Sequence, residues 1–147
     1  MKTLKHSRQR DAILNCLIER HDHPTADAVY ASVREIYPNV SLGTVYRNLN
    51  LLADLGEIRR LNCGSGPERF DGDTHPHYHF ICRECGQIQD LPMKTFKQLD
   101  TRAQQHCGGR IDSHITYFYG TCQDCLSAAE KNTAEKANNS VDKQAQV

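Results

Sequence analysis

Apolar residues in the first third of the chain recur at helical spacing in three segments. The first segment covers residues 8–20, and the second begins after Thr25, a residue that caps helices well. The third begins at Ser41, another good N-cap, and ends at Gly56, since glycine commonly stops a helix. The pattern therefore predicts three consecutive helices separated by short turns.

The third predicted helix has an apolar side and a polar side. With a rotation of about 100° per residue, Val45 and Leu49 share one side, whereas Arg47 and Asn50 point away from it. Two short extended runs within residues 57–70, joined by a glycine-rich turn, predict a hairpin. Three helices and a hairpin make a winged helix, whose third helix enters the major groove of DNA. Any three-helix core has similar periodicity, so this pattern favours DNA binding without establishing it.

The composition changes at Asp71, where the pattern becomes that of a small α/β domain. Two runs at 77–82 and 87–91 predict a strand pair that turns at a glycine. Apolar residues at helical spacing predict a helix over 96–107, and the alternation over 110–119 predicts a strand with one apolar face. The last residues are rich in Lys, Asn, Ala and Gln and offer little to bury, which predicts a disordered tail.

Charge and hydropathy restrict the classes of function. The 147 residues have a formal net charge of zero, and no apolar run approaches the roughly 20 residues of a membrane span. The basic N-terminus is not followed by an apolar segment, so we expect no signal peptide and a cytoplasmic protein. The basic residues among the first ten, and the pair Arg59 and Arg60, are consistent with local contact to a polyanion or with a solvated surface.

Four of the seven cysteines form two CxxC pairs. In a cytoplasmic chain this pattern indicates metal binding rather than disulfides. Each pair supplies two thiolates on one tight turn, and two such turns complete a tetrahedron around zinc. A site with four protein thiolates is closed, which favours a structural role; the alternative is two unrelated redox dithiols. The cysteines are Cys82, Cys85, Cys122 and Cys125.

A second group of donors has a different chemistry. His77 and His79 are two residues apart on a predicted strand and therefore face the same side. Mixed imidazole and carboxylate donors suit iron or manganese, whereas the alternative for this pattern is a polar strand face. His114 either serves a further site or caps a surface strand. The candidate donors are His23, Asp71, His77, His79 and Asp90.

Four runs of the sequence together resemble the ferric uptake regulator family. They are HPTADAVYASVREIYPNVSLGTVYRNLNLLADLGEI, ERFDG, HYHFICRECGQIQDLP and YGTCQDC, and the resemblance covers about residues 4–126. Proteins of this family are homodimers in which a winged-helix DNA-binding domain precedes an α/β dimerisation domain. Their metal-loaded form binds a palindromic operator in double-stranded DNA and usually represses transcription.

The resemblance implies an α+β fold with a structural zinc site in the second domain. Together with the composition of the last residues, it implies the division of the chain. The segments are a winged-helix domain at 1–70, a hinge at 71–75, a dimerisation and metal-binding domain at 76–129 and a disordered tail at 130–147.

Within the family, the chain is most similar to the peroxide-responsive branch. Aspartate at position 71 favours this branch, because iron-uptake regulators tend to carry glutamate there. The resemblance places structural Zn²⁺ on the four cysteines and regulatory Fe²⁺ or Mn²⁺ on the three histidines and two aspartates. It places the DNA contacts on Tyr46, Arg47 and Asn48.

The implied function is a repressor that senses hydrogen peroxide. Iron-catalysed oxidation of a ligand histidine, His23 or His77, weakens metal binding and releases the operator. The alternative within the family is a regulator that responds to the availability of ferrous iron or another metal. We do not expect an enzyme, since the chain has no HExxH and its HYH run lacks the glutamate of the deaminase HxE. An electron carrier that binds iron on the four cysteines is a further alternative.

Overall fold

The computed structural model describes residues 7–64 and 66–142. These residues form two compact units. The first unit ends at His77 and includes the short segment Pro92–Thr95, whereas the second comprises Tyr78–Leu91 and continues from Phe96. In chain order the elements are α1 (Arg8–Ile18), α2 (Ala26–Ile36), α3 (Leu42–Asp54), β1 (Arg59–Leu61), β2 (Arg69–Asp71), β3 (Tyr78–Cys82), β4 (Ile88–Leu91), α4 (Gln98–Gln104), β5 (Tyr117–Gly120) and α5 (Gln123–Asp142).

The first unit is a winged helix, as its apolar pattern predicts. Ser7, Thr25 and Ser41 each cap a helix, because the side-chain oxygen accepts a hydrogen bond from the backbone N–H three residues later. The helices pack through their apolar sides around one core. Its fully buried members include Ile13, Leu17, Val29, Val33, Val45 and Leu49.

The wing brings the loop between α1 and α2 against strand β2. Strands β1 and β2 are antiparallel, and Asp71 stands opposite Arg59 at the end of the pair. The N–H of Phe70 donates to the carbonyl of Pro24 at 3.0 Å, and Thr25 forms a bridge to Arg69. These backbone contacts place His23 beside Asp71, although 48 residues separate them in sequence.

Gly72 lets the end of β2 lie directly on the end of α1. A Cβ atom at this position would lie 2.6 Å from the carbonyl carbon of Leu17 and 2.7 Å from its oxygen. Real Cβ atoms essentially never approach backbone so closely, so only glycine fits without a backbone shift. The close contact fixes the backbone immediately after Asp71.

The second unit contains a three-stranded sheet in the order β4-β3-β5. The central strand β3 is antiparallel to β4 and parallel to β5. A parallel pair needs a crossover connection, and α4 lies within it. The predicted strand pair and the intervening helix are confirmed, although α4 is shorter than the predicted 96–107.

The strand predicted over 110–119 is largely wrong. Only Tyr117–Gly120 forms β5. The preceding residues make their hydrogen bonds to α4 instead: the N–H of Ile111 donates to Oε1 of Gln104 at 2.8 Å, and the ring of His114 binds Asp100. The alternation of apolar residues is real, but side chains of α4 take the place of a neighbouring strand.

The disordered tail predicted from residue 130 is also corrected. Helix α5 continues as far as Asp142, and residues 143–147 lie outside the described residues. Ala, Glu, Lys and Gln have high intrinsic helix propensity, so this composition supports a helix even with little surface to bury. Across the part of the chain that the structure describes, every helix is too short or too polar to cross a membrane.

Candidate metal centres and nucleic-acid interface

Four thiols converge in the second unit. Cys82 ends β3, Cys85 lies in the turn to β4, Cys122 directly precedes α5, and Cys125 lies in its first turn. The Sγ atoms of Cys82 and Cys125 are 3.9 Å apart, those of Cys85 and Cys122 are 3.7 Å apart, and all four lie within 4.8 Å of one another. Thiolates about 2.3 Å from one tetrahedral zinc ion are about 3.8 Å apart, whereas a disulfide needs about 2.05 Å. The spacing fits one zinc ion and excludes disulfides among these four.

The backbone around Cys82 favours its thiolate form. Hydrogen bonds from the backbone N–H groups of Cys85 and Cys122 lower the pKa of Cys82 to about 6. Gly86, at a φ of 73°, makes the tight turn possible and donates its N–H to the carbonyl of Cys82 at 2.9 Å. The side-chain hydrogen bond with Cys122, together with burial, raises the pKa of Cys125 well above its usual range. The fold thus favours the thiolate of Cys82, whereas the thiolate of Cys125 needs a cation beside it.

The cysteine centre suits structural zinc. Four protein thiolates complete a tetrahedron and leave no position open for a substrate. Cys82 on β3 stands beside Gly120 on β5 in the parallel register. An ion held there ties the central strand to the crossover strand and to the start of α5.

Three of the predicted regulatory donors meet in the first unit. Nε2 of His77 lies 3.1 Å from Oδ2 of Asp71, and Nε2 of His23 lies 3.7 Å from the same oxygen. His23 and Asp71 are almost completely buried. Donor atoms about 2.1 Å from one metal and in adjacent positions lie about 3 Å apart, so these separations suit neighbouring ligands.

Hydrogen bonds orient the two donors nearest to each other. Nδ1 of His77 lies 2.7 Å from the carbonyl oxygen of His75, and a carbonyl only accepts, so Nδ1 carries a proton and the lone pair of the neutral ring is on Nε2. The N–H of Asp73 donates to Oδ1 of Asp71 at 2.8 Å, which leaves Oδ2 directed at His77. A lone pair facing a carboxylate oxygen at 3.1 Å needs a proton or a cation beside it, as a metal site provides.

The backbone of His23 is strained. Its φ of +50° lies in the left-handed region, where a residue other than glycine costs on the order of 1–3 kcal/mol. The carbonyl of His23 accepts a hydrogen bond from Nη1 of Arg69 at 3.2 Å, and β2 holds the following residue, Pro24. The fold thus maintains an unfavourable conformation at a candidate ligand, which is typical of a functional site.

The other two donors lie in the second unit. His79 on β3 and Asp90 on β4 are partners in the antiparallel register, with Nε2 of His79 3.3 Å from Oδ1 of Asp90. His79 is 2% exposed, and its ring lies 5.9 Å from that of Tyr117. By ligand type, the three imidazoles and two carboxylates of the five candidate residues suit iron or manganese.

The outer face of α3 carries the predicted DNA contacts. Tyr46 is 42% exposed and Arg47 is also exposed, with Nη2 of Arg47 bound to Oγ1 of Thr44 at 3.1 Å. Asn48 is half-buried, and its Nδ2 donates to the carbonyl of Thr44 at 2.9 Å. Tyr46 and Arg47 are therefore accessible, whereas the amide of Asn48 is engaged within the helix.

The basic pair on the wing is used inside the first unit. Nη2 of Arg60 contacts the carbonyl oxygen and Oδ1 of Asn50 and lies 3.0 Å from Oδ1 of Asp54. Arg59 donates to the carbonyl of Thr74. The sequence makes both arginines candidates for contact with a polyanion. In the structure Arg60 connects β1 to α3, and Arg59 connects β1 to the segment after β2. Lys2 and Lys5 lie outside the described residues.

Sequence reasoning missed a hydrogen-bonded chain in the second unit. Oη of Tyr78 lies 2.8 Å from Nε2 of His114, and Nδ1 of His114 lies 2.6 Å from Oδ1 of Asp100. Both ring nitrogens of His114 are therefore engaged, in an irregular segment and not on the surface strand that the sequence suggests. The tyrosine between two candidate ligands in His77-Tyr78-His79 was the available signal, but its partner is 36 residues away.

The chain is similar to known proteins in both sequence and fold. The model of the ferric uptake regulator family matches residues 1–119. The chain is 39% identical over 117 residues to the peroxide-responsive repressor PerR of Staphylococcus aureus, a match that covers 80% of this chain and 79% of the relative.

Two solved structures are similar over most of their length. The peroxide stress regulator of Campylobacter jejuni is 31% identical with a TM-score of 0.70, over 80% of this chain and 88% of that one. The Helicobacter pylori ferric uptake regulator, which has three functional metal binding sites, is 25% identical with a TM-score of 0.72, over 84% and 83%. The chain therefore belongs to the ferric uptake regulator family, whose members are metal-responsive regulators.

Proposed function

We propose that this protein is a homodimeric, metal-dependent repressor that senses hydrogen peroxide through oxidation of a ligand histidine, His23 or His77. The observation that carries the proposal is the distribution of the five donors. Three of them, His23, Asp71 and His77, belong to the first unit, and His79 and Asp90 belong to the second. One Fe²⁺ or Mn²⁺ held by all five joins the two units, so metal occupancy controls their relative orientation.

The orientation matters because the DNA-binding helix lies in the first unit. In a homodimer joined through the second unit, two copies of α3 have to match half-sites about 34 Å apart on a palindromic operator. Loss of the metal frees the two units to change their relative orientation. Moving the population from 1:99 to 99:1 in favour of the binding state requires about 5.5 kcal/mol of differential metal affinity.

Tyr46 and Arg47 are the proposed direct contacts to DNA. Both are exposed on α3, and a guanidinium suits a guanine edge or a phosphate. Asn48 remains a proposed contact of lesser weight, because its amide already binds Thr44. Zinc on the four cysteines is proposed to maintain the second unit while the regulatory metal comes and goes.

Peroxide sensing depends on the state of the ligand rings. Ferrous iron, when bound, would catalyse cleavage of the O–O bond, and the imidazole supplies both electrons of the net reduction. In the net reaction one imidazole C–H becomes C–OH, and hydrogen peroxide is reduced to water, so atoms and electrons balance. Cε1 of His77 is bonded to Nε2, the nitrogen that faces Asp71, and is therefore a C–H close to the metal. In the keto form of the product both ring nitrogens carry protons, so the lone pair that binds the metal is lost.

A regulator of metal availability is the second candidate. The fold does not separate the two, since the TM-scores to the Helicobacter pylori ferric uptake regulator and the Campylobacter jejuni peroxide stress regulator are 0.72 and 0.70. Aspartate at position 71 and the 39% identity to PerR favour the peroxide sensor.

Fluorescence anisotropy on a palindromic operator tests the proposal. Protein loaded with Fe²⁺ or Mn²⁺ is compared before and after a low dose of hydrogen peroxide. We expect only the iron form to release DNA, to gain the mass of one oxygen on His23 or His77, and to stay released when fresh metal is added. An iron form that rebinds on resupply, or two forms that both hold on, contradicts peroxide sensing and supports a response to metal availability.

A further inference from the structure

We infer that Asp100 and His114 form, with Tyr78, a positioning device for the ligand His79, and that this device sets how tightly the regulatory metal is held. The inference deepens the proposed function and rests on it, because it takes His79 to be a ligand. All of the contacts that carry it lie within the second unit.

The hydrogen bonds of this chain have one consistent direction. The backbone N–H of Phe96 donates to Oη of Tyr78 at 2.7 Å. The carboxylate of Asp100 accepts from Nδ1 of His114 at 2.6 Å, so the lone pair of the neutral ring is on Nε2. The hydroxyl of Tyr78 then donates to Nε2 at 2.8 Å. Every proton has a place, and Asp100 selects the tautomer of His114 that can receive Tyr78.

Packing holds the tyrosine ring as firmly as the hydrogen bonds hold its hydroxyl. Tyr78 is 4% exposed. Its ring meets Phe118 of β5 nearly edge-on, with the centroids 5.9 Å apart and the planes at 65°, and lies 5.6 Å from the ring of His114. The side chain therefore has little freedom to turn without breaking its contacts with Phe118, His114 and Phe96.

Fixing Tyr78 also fixes its neighbour. Successive side chains of a strand point to opposite faces, so anchoring Tyr78 on one face of β3 sets the pleat that directs His79 to the other. His79 faces its register partner Asp90 at 3.3 Å. The device thus orients a ligand without touching the metal, in the way that hydrogen bonds behind metal ligands commonly do.

The position of the device along the chain gives it a further effect. Tyr78 is the first residue of the second unit, and Phe96 is the residue at which the chain returns to that unit after Pro92–Thr95. The bond from Phe96 to Tyr78 joins these two entry points. The segments that lead toward the first unit therefore start from one fixed place, tied to α4 through His114 and Asp100.

The geometry also distinguishes this role from that of a further metal ligand. Coordination through Nε2 of His114 requires the loss of the hydrogen bond from Tyr78, and coordination through Nδ1 requires the loss of the bond to Asp100. A positioning role keeps both bonds. It predicts one zinc and one regulatory metal per chain, and a third equivalent bound through His114 contradicts it.

Manganese titration of the full-length, zinc-loaded protein, followed by the electron paramagnetic resonance of free Mn²⁺, tests the inference. Tyr78→Phe removes only the hydroxyl and is expected to weaken Mn²⁺ binding about tenfold, the lower end of the usual effect of a residue behind a metal ligand. His114→Ala should do the same, and His114→Gln should recover part of the loss, because its amide oxygen can accept from Tyr78. His106→Ala, an exposed histidine just beyond α4, is the matched control and should bind Mn²⁺ as the parent does.

Zinc content, thermal unfolding and operator binding at saturating Mn²⁺ separate positioning from bulk stability. All three should be retained in Tyr78→Phe. Unchanged Mn²⁺ affinity in both Tyr78→Phe and His114→Ala overturns the inference, as does a loss of affinity that always accompanies loss of zinc or of folding. If the parent protein itself binds no Mn²⁺, the proposed function fails first, and the titration of the parent shows this directly.

Discussion

The two metal centres contrast in how the chain distributes their donors. The four thiols lie within one unit, close together in space, where the parallel strands β3 and β5 end. The histidines and aspartates come from both units, three from the first and two from the second. A centre within one unit can stabilise only that unit, whereas in the proposed function a metal held by donors of both units controls their arrangement. Chemistry agrees with this division, since thiolates hold zinc persistently and imidazole with carboxylate exchanges iron or manganese.

The largest effect should follow loss of the cysteine centre. Cys122→Ser removes a buried thiol that also sits at the start of α5. Because metal binding and folding are coupled at structural zinc sites, we expect loss of zinc and of cooperative unfolding of the second unit. Zinc analysis and circular dichroism during heating measure both effects.

The control for this change is Cys107→Ser. Cys107 is exposed and does not belong to the four-thiol cluster, so zinc content and melting should match the parent. If Cys122→Ser loses its zinc but melts as the parent does, the centre is not structural, and the contrast between the two centres fails.

Loss of His77, a proposed ligand of the regulatory metal, should affect Mn²⁺-dependent operator binding and leave zinc binding intact. His77→Ala removes an imidazole 3.1 Å from Asp71 while leaving the four thiols intact. We expect Mn²⁺-dependent operator binding to weaken about 100-fold with zinc content unchanged, since removal of a ligand affects affinity at least as much as removal of its support. Anisotropy as a function of Mn²⁺ concentration provides the measurement.

His75→Ala is a closely matched control for His77→Ala. The contact from His75 to Nδ1 of His77 is made by its backbone carbonyl, and its side chain is 91% exposed. Removing that side chain should leave metal dependence nearly as it was. An equal loss in both variants shows that the hinge segment, and not the ligand, determines the response.

Each centre could be predicted to the extent that its residues are close in sequence. The two cysteines of a CxxC pair are neighbours, and two pairs are expected to meet because zinc requires four ligands. The approach of His23 to Asp71 depends on backbone bonds such as Phe70 to Pro24, which no local pattern contains. The residue types make His23 a candidate donor, and the family resemblance assigns it to the same site as Asp71. The apolar periodicity of the first unit sufficed for its helices, because each has one buried face and a capping residue.

The sequence-based prediction is wrong where side chains, and not a neighbouring strand, satisfy the hydrogen bonds of an extended segment. Ile111 and His114 belong to a stretch that alternates like a strand, yet they bind Gln104 and Asp100 of α4. The position of Tyr78 between two candidate ligands does not reveal its partners Phe96 and His114, because both are distant in sequence. The C-terminal helix differs from its prediction for another reason: a composition poor in apolar residues predicts disorder, although its helix propensity is high.

A smaller effect should come from the glycine behind the divided centre. In Gly72→Ala the new Cβ meets the backbone of Leu17 at 2.6 Å, so the end of β2 has to move. Overpacking of this kind costs typically about 1–3 kcal/mol, and the shift should displace the adjacent Asp71 enough to weaken Mn²⁺ binding severalfold. Urea unfolding and Mn²⁺ titration test the two parts separately.

Gly43→Ala gives the comparison for Gly72→Ala. At this position in α3 the nearest atom to a new Cβ is 3.6 Å away, and alanine favours a helix over glycine by roughly 1 kcal/mol. The same substitution should therefore stabilise at one site and destabilise at the other. If Gly72→Ala unfolds and binds Mn²⁺ as the parent does, the close contact does not support Asp71.

The smallest expected effect separates DNA affinity from metal affinity within the first unit. Arg60 ties the wing to α3 through Asn50 and Asp54 and is 34% exposed, so its ion pair is worth at most about 1 kcal/mol. Arg60→Gln should lower the free energy of unfolding by less than that and weaken operator binding a fewfold, because the wing is less well fixed on the recognition helix. The Mn²⁺ affinity of this variant should be unchanged, since none of the contacts of the Arg60 side chain involves a proposed metal ligand. Arg110→Gln, which alters a similar exposed pair with Asp112 in the second unit, should change neither quantity. A fall in Mn²⁺ affinity in Arg60→Gln shows instead that the wing and the metal donors move together, and that metal occupancy is read through the wing as well as through the hinge.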